Sequence, residues 1–194
     1  MTQRPTARDR MLTSAIALFR ERGIDATSFA DVIERAEAPR GSIYHHFPGG
    51  KTQLAEEATR TAGGLMETLI ESSLAQGGPS ETLARLIGMF RRQLLDSDFR
   101  SGCPVAAGAL ESGDFTAVRE IAGESFTAWE EAIATALAQR GVPAARAESL
   151  ATTAVTAIEG ALLVARAQRS VQALDRVGGE LSGLIDTAVD AARR

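Results

Sequence analysis

The chain has 194 residues, 44% of them hydrophobic, which is enough for one sizeable packed domain or two small ones and excludes a disordered tail. A single cysteine, Cys103, excludes an internal disulfide and a cysteine-rich metal framework, and fits a reducing compartment. No apolar run approaches the roughly 20 residues of a membrane span, and the opening MTQRPTARDR lacks the apolar core of a signal peptide, so a cytoplasmic protein with no membrane partner is expected.

The formal net charge of -4 is unevenly spread: residues 1–60 carry nine Lys/Arg against eight Asp/Glu, and the rest carries twelve against seventeen. Any hold on a phosphate backbone must therefore come from local clusters. Of the basic residues 20 are Arg and only Lys51 is Lys, a bias consistent with codon usage.

Helical periodicity runs almost throughout, and no stretch alternates as a strand would, so an all-α protein of about nine helices is expected. The first helix is predicted from Thr6, capped through Asp9, with Met11, Leu12, Ala15, Leu18 and Phe19 inward, and it ends at Arg22-Gly23. Thr27 or Ser28 caps a second helix, with Asp31 completing a capping-box pattern and Val32, Ile33 and Ala36 facing inward. Glu37-Ala38-Pro39 makes the turn, because Pro39 lacks an amide donor and restricts its predecessor. A third helix then starts near Arg40, anchored by Ile43 and Phe47, with Tyr44, His45 and His46 outward.

Two short helices meeting at a tight bend, the second opening Arg40-Gly41-Ser42, suit a DNA groove. Arg reads a guanine edge or holds a phosphate, Ser does either, Gly admits the backbone, and a tyrosine hydroxyl reaches phosphate. Lys51, opening the next helix, adds charge at a helix N-terminus. Arg4, Arg8 and Arg10 are either a DNA-touching arm or a solvated terminus. His45-His46 is a poor metal pair, since adjacent helical residues diverge by about 100 degrees and no Cys or carboxylate lies at ligand spacing; no metal or cofactor is expected.

A long helix is predicted over 51–74 with Leu54, Ala58, Ala62, Leu65 and Leu69 on one face. Gly63-Gly64 inside it marks either close packing or a soft point between modules. Gly77-Gly78-Pro79 stops it, and Ser80 is placed as the cap of a helix striped by Leu83, Leu86, Ile87, Phe90 and Leu94. Pro104 opens a short helix, and a long one follows over 115–139 with Val118, Ala122, Trp129 and Ala136 in its stripe. Two more are predicted over 145–169 and 174–192, the latter with Leu174, Val177, Leu181, Leu184, Ala188 and Ala192 as its apolar row. The helix over 145–169 has two adjacent apolar rows and needs two neighbours, one of which is expected to be a second subunit, giving a homodimer.

The stretch Tyr44, His45, His46, Phe47, with the capped helix and turn before it, resembles the TetR family of bacterial transcriptional repressors. HHFPGGK at 45–51, SGCPVA at 101–106 and AIEGALLVARAQRS at 157–170 resemble the LmrA/YxaF-type subgroup, so the likeness runs nearly end to end. One departure is Glu37, where the family usually has Gly in the turn; a left-handed backbone there costs a non-glycine residue roughly 1 kcal/mol or more. The resemblance implies a helix-turn-helix DNA-binding domain over 1–50 and a helical ligand-binding and dimerisation domain over 51–194. It also implies contacts to double-stranded operator DNA by Thr27, Ser28, Arg40, Gly41, Ser42, Tyr44, His45, His46 and Lys51.

It further implies a pocket whose small-molecule effector releases DNA, for which Met66, Phe90, Cys103, Phe126, Trp129, Glu159, Leu162 and Leu163 are candidates. Ordinary core packing explains the apolar ones equally well, and a solvent-facing stripe with Thr152 and Thr156 explains Glu159. The expected function is a ligand-responsive repressor acting as a dimer on a palindromic operator, and the implied effector is hydrophobic or aromatic. Alternatives are an all-helical carrier or enzyme with a merely structural bend, or a DNA-bound scaffold without ligand. No Ser/His/Asp, HExxH, phosphate-loop or paired metal motif supports an enzyme.

Overall fold

Thr6 does at the start of the chain what its sequence context requires. In the computed structural model, which describes residues 5–193, its side chain accepts from the Asp9 amide and the Asp9 carboxylate caps the Thr6 amide in return, opening α1 (Ala7–Arg22). Arg4 lies outside the described residues. Ser28 and Asp31 repeat the device at α2 (Phe29–Arg35), and α3 (Ser42–His46) follows the turn. The chain continues through α4 (Gly50–Gln76), α5 (Pro79–Asp96), α6 (Pro104–Ala109), a 3-10 turn at Gly113–Phe115, α7 (Thr116–Ala138), α8 (Ala144–Gln168) and α9 (Gln172–Ala192). Among the described residues the protein is all-α, with nine α-helices and no strand.

Contacts divide the chain differently from the expected 1–50 and 51–194. One unit is Met1–Gly63 with Cys103–Glu124, the other Gly64–Gly102 with Ser125–Arg194. The reason lies in α4, whose Leu54, Ala55 and Ala58 are buried in one core with Met11, Phe19, Val32, Ile43, Phe47 and Val118. The first turns of α4 thus complete the N-terminal core, and the division falls at Gly63–Gly64.

The second unit is built on α5, α8 and α9 packed together, with Leu86, Phe90 and Leu94 of α5 buried alongside Leu150, Ile158 and Leu162 of α8. Gly178 lets α9 approach α5 closely, since a Cβ there would meet Ile87 Cγ1 at 3.3 Å. Three expectations shift here. The buried row of α9 is Leu174, Leu181, Ile185 and Val189, and Leu184 is exposed. On α4, Ile70 is buried where Leu65 was expected, and Leu65 is exposed. Ser80 does not cap α5: Gly78 is the cap with Pro79 in the first position, and the Ser80 hydroxyl donates to Asp186 instead.

Contrary to the reading of the apolar runs, α8 is long and apolar enough by length and composition to cross a membrane. Its apolar rows, including Leu150, Ala154, Ile158 and Ala165, are buried within the second unit, as in the core helix of a globular protein.

Candidate DNA interface and effector cavity

The reader is set by two short helices whose inward residues lock into the first unit's core. Ile43 on α3 and Phe47 at its C-cap, four residues apart, are fully buried, which turns the intervening Tyr44 and His45 outward. The turn between α2 and α3 is a Schellman closure: the Ala38 amide donates to the Ile33 carbonyl (3.1 Å) and the Glu37 amide to the Glu34 carbonyl (3.2 Å). That closure requires a left-handed residue after the helix cap, and Glu37 takes it at φ 49. Arg10 Nε donates to the Ala36 carbonyl (3.0 Å), completing the end of α2.

The candidate contact residues fare differently. Tyr44 is 67% exposed, and its ring meets Phe29 edge-on at 5.5 Å, a contact that braces an otherwise surface-lying side chain. Arg40 and Gly41 are exposed, and Gly41 has φ -82 with nothing within 4 Å of an added Cβ. Neither strain nor internal packing requires glycine there. His45 is exposed and His46 half-buried, their rings edge-on at 5.3 Å, and among the described residues no group of His, Cys, Asp and Glu could hold a metal ion.

Ser28 is exposed, but its hydroxyl is engaged with Asp31, donating to Oδ2 at 2.6 Å. Hydrogen bonds from the Ser28 side chain and backbone, then from Arg22, pull the Asp31 carboxyl down to about 2. The Ser42 hydroxyl donates to the Pro39 carbonyl (2.6 Å). Lys51 is half-buried, donating from Nζ to the Asp25 carbonyl (2.9 Å) and lying 6.0 Å from the centre of the Phe115 ring.

Thr27 is a correction. It is 2% exposed, and its hydroxyl donates back to the Gly23 carbonyl at 2.8 Å, so it shapes the turn and offers no surface to DNA. For Arg8 and Arg10 the sequence leaves both a DNA-touching arm and a solvated terminus open, and the structure engages the two side chains within the first unit. Arg8 pairs with Glu57 and lies 5.2 Å from the Phe47 ring centre, and Arg10 holds Ala36, so both are structural in this conformation.

In the second unit, Met66 and Ile70 of α4, Leu86 and Phe90 of α5, Trp129 and Ile133 of α7, and Val155, Ile158 and Glu159 of α8 line an almost wholly apolar cavity. Its volume is about 30 Å³, room for a water molecule, whereas ligand pockets run to some 300–1,000 Å³. Four candidate residues, Met66, Phe90, Trp129 and Glu159, meet there. Phe126 supports Trp129 edge-on at 5.2 Å from outside the lining. Leu162 is buried and Leu163 is 67% exposed, and neither lines the cavity; Leu162 continues the row of Val155, Ile158 and Glu159 on α8 one turn further on, past the end of the lining. Cys103 belongs to the first unit, buried, its sulfur accepting from the Ala106 amide at 3.5 Å as the cap of α6. Ile70, Leu86, Ile133, Val155 and Ile158 were not singled out from sequence, since nothing distinguishes a lining aliphatic from a core one.

Residues 11–58 match the family described as bacterial regulatory proteins, tetR family, and residues 79–180 match the C-terminal domain described as transcriptional regulator LmrA/YxaF-like. The chain is 43% identical over 184 residues to an uncharacterized HTH-type transcriptional regulator of Mycobacterium tuberculosis, covering 92% of this chain and 93% of the relative. It is 31% identical over 166 residues to the regulator YxaF of Bacillus subtilis, covering 84% and 87%. The crystal structure of regulatory protein TetR from Rhodobacter sphaeroides shares the fold, with a TM-score of 0.80 at 19% identity over 92% of this chain and 98% of that one. The capped helices, the turn with its exposed Arg40-Gly41, and the helical second unit are thus those of a DNA-binding transcriptional regulator: the chain belongs to the TetR family, with an LmrA/YxaF-like C-terminal domain.

Proposed function

We propose that the protein is a transcriptional repressor that binds a palindromic operator as a cytoplasmic homodimer and is released by a small hydrophobic or aromatic effector. The observation that carries this reading is the arrangement in and around α3: two buried anchors, Ile43 within it and Phe47 at its C-cap, present Tyr44 and His45 outward beside the exposed Arg40 and Gly41. Arg40 and Tyr44 carry most of the contact, Gly41 admits the DNA backbone, and His45, His46, Ser28, Ser42 and Lys51 contribute at the edges.

The effector reading is supported by the apolar cavity around Trp129 and Phe90. At about 30 Å³ it must widen to admit a ligand, and that widening is the conformational change by which the effector acts. In a dimer, two α3 helices reach successive major grooves roughly 34 Å apart, and the effector favours a geometry with another spacing. Shifting the population from mostly competent to mostly incompetent takes a preference of about 5 kcal/mol.

The test is a gel shift on the DNA upstream of the protein's own gene. Arg40→Ala and Tyr44→Ala each weaken binding severalfold or more, and log affinity of the parent falls with log salt at about -0.9 per phosphate neutralised. Parental affinity in both variants would refute the contact assignment. A compound screen by Trp129 fluorescence then identifies effectors; compounds that quench Trp129 yet leave the complex intact would separate cavity from switch.

A further inference from the structure

We propose that Glu111 is a positioning residue of the DNA reader, holding by one hydrogen bond the turn from which α2 starts. The inference rests on α2 and α3 being the DNA-reading element. It begins at Gly23, where φ 86 takes the chain sharply out of α1. Ile24 comes next, fully buried, and past the end of α1 its amide has no helical acceptor. The acceptor is supplied from far along the chain: Ile24 N donates to Glu111 Oε1 at 3.1 Å.

The neighbouring carbonyl is held from the first turn of α4, beside a ring of the Glu111 segment. Asp25 O accepts Lys51 Nζ at 2.9 Å, and that ammonium lies 6.0 Å from the centre of the Phe115 ring. Glu111 precedes the 3-10 turn between α6 and α7 and Phe115 is its last residue, both inside the first unit. Glu111 is itself fixed, because Arg119 Nη1 donates to its carbonyl (3.0 Å) while Nη2 donates to Thr116 Oγ1 (3.1 Å). Upstream, α6 seats closely at Gly108, where a Cβ would lie 3.0 Å from Val118 Cγ1 and 3.1 Å from Thr59 Oγ1.

A buried amide is costly to leave without an acceptor, so removing the carboxylate makes the turn at Ile24 shift toward another partner. Ser28, the cap of α2, follows four residues on, and α2 leads through the Glu37 turn to α3. Glu111 therefore acts on DNA affinity through the placement of the reader.

The experiment compares Glu111→Ala, Glu111→Gln and, as a control in the same segment, Glu120→Ala at an exposed position. The probe is a duplex that the parent protein selects from a randomised library. Glu111→Ala binds about tenfold more weakly, the size of one charge-assisted hydrogen bond expressed as affinity. Glu111→Gln, which keeps a carbonyl acceptor, stays within about twofold of the parent, and Glu120→Ala does not differ. The salt slope is the same in all four proteins, because the number of neutralised phosphates is unchanged.

Parental affinity in Glu111→Ala overturns the proposal. So does tighter binding by both Glu111 variants, which would mean the carboxylate acts only by repelling phosphate. Amide exchange at Ile24, measured in the full-length parent and in Glu111→Gln, provides a second readout should Glu111→Ala not fold: protection in both supports the clamp, and rapid exchange in the parent overturns it. A parent that selects no duplex contradicts the DNA reading instead, and the Ile24 exchange still decides the clamp.

Discussion

Glu37 is the position where sequence and backbone disagree most openly. Its carboxylate side chain is exposed and its φ is 49, in the left-handed region that the Schellman closure of α2 demands and glycine fills at no steric cost. Relieving that strain and losing some unfolded-state order act in opposite directions, so Glu37→Gly is expected to stabilise the protein by a net of about 0.5–1 kcal/mol. A thermal melt checks this, and a lower Tm would mean the Glu37 side chain makes a contribution larger than the strain. The same change removes an acidic group next to the reader, so DNA affinity rises at low salt and the gain shrinks as salt is added. Gly41 is the opposite case. Nothing in the fold requires glycine there, so Gly41→Ala leaves the melt nearly unchanged while weakening DNA binding, because the added methyl meets the phosphate backbone. Equal DNA affinity in the two proteins would remove Gly41 from the interface.

At the scale of elements, helix ends carried most of what could be read directly. The capping boxes at Thr6-Asp9 and Ser28-Asp31 and Pro104 at the start of α6 all stand where their chemistry places them. Faces were less legible: Leu65 and Leu184 fit an apolar row as well as Ile70 and Ile185 do, and only the position of a neighbouring helix decides between them. Least legible was the membership of Cys103–Glu124 in the reader's unit, because Glu111 and Ile24 are 87 residues apart and no local pattern marks a contact at that range. The cap at α2 has a pH signature. With the Asp31 carboxyl held down to about 2 against an ordinary 3.8, its stabilising effect is fully present above about pH 4 and is lost as the pH falls through about 2. The parent therefore loses more stability than Asp31→Ala between pH 4 and pH 2. An NMR titration of the Asp31 carboxyl with a midpoint at or above 3.8 would contradict this account.

The whole molecule presents apolar surface that a single chain does not use. Leu163 is 67% exposed and Val164 41% on α8, and Leu184 is 42% exposed on α9, while the opposite rows of both helices are buried within the second unit. Scattered exposed aliphatics are ordinary, but these lie on two helices packed together, one of them with two apolar rows. A self-complementary interface between two copies would cover them, and a two-fold dimer uses the same patch on both subunits. Placing charge there tests it: Leu163→Glu with Leu184→Glu buries two carboxylates per subunit in a dimer formed through this face but leaves the core rows of the monomer untouched. Sedimentation is expected to show a dimer for the parent and a monomer for the double variant, with the helical circular dichroism preserved. DNA affinity then tests the proposed use of a dimer: if the parent grips two half-sites, a monomer grips one, and linking two binding events raises apparent affinity by about two orders of magnitude or more. A double variant that remains dimeric would place the subunit contact on another surface, and one that becomes monomeric yet binds the operator as tightly as the parent would show that paired half-sites are not what the reader recognises.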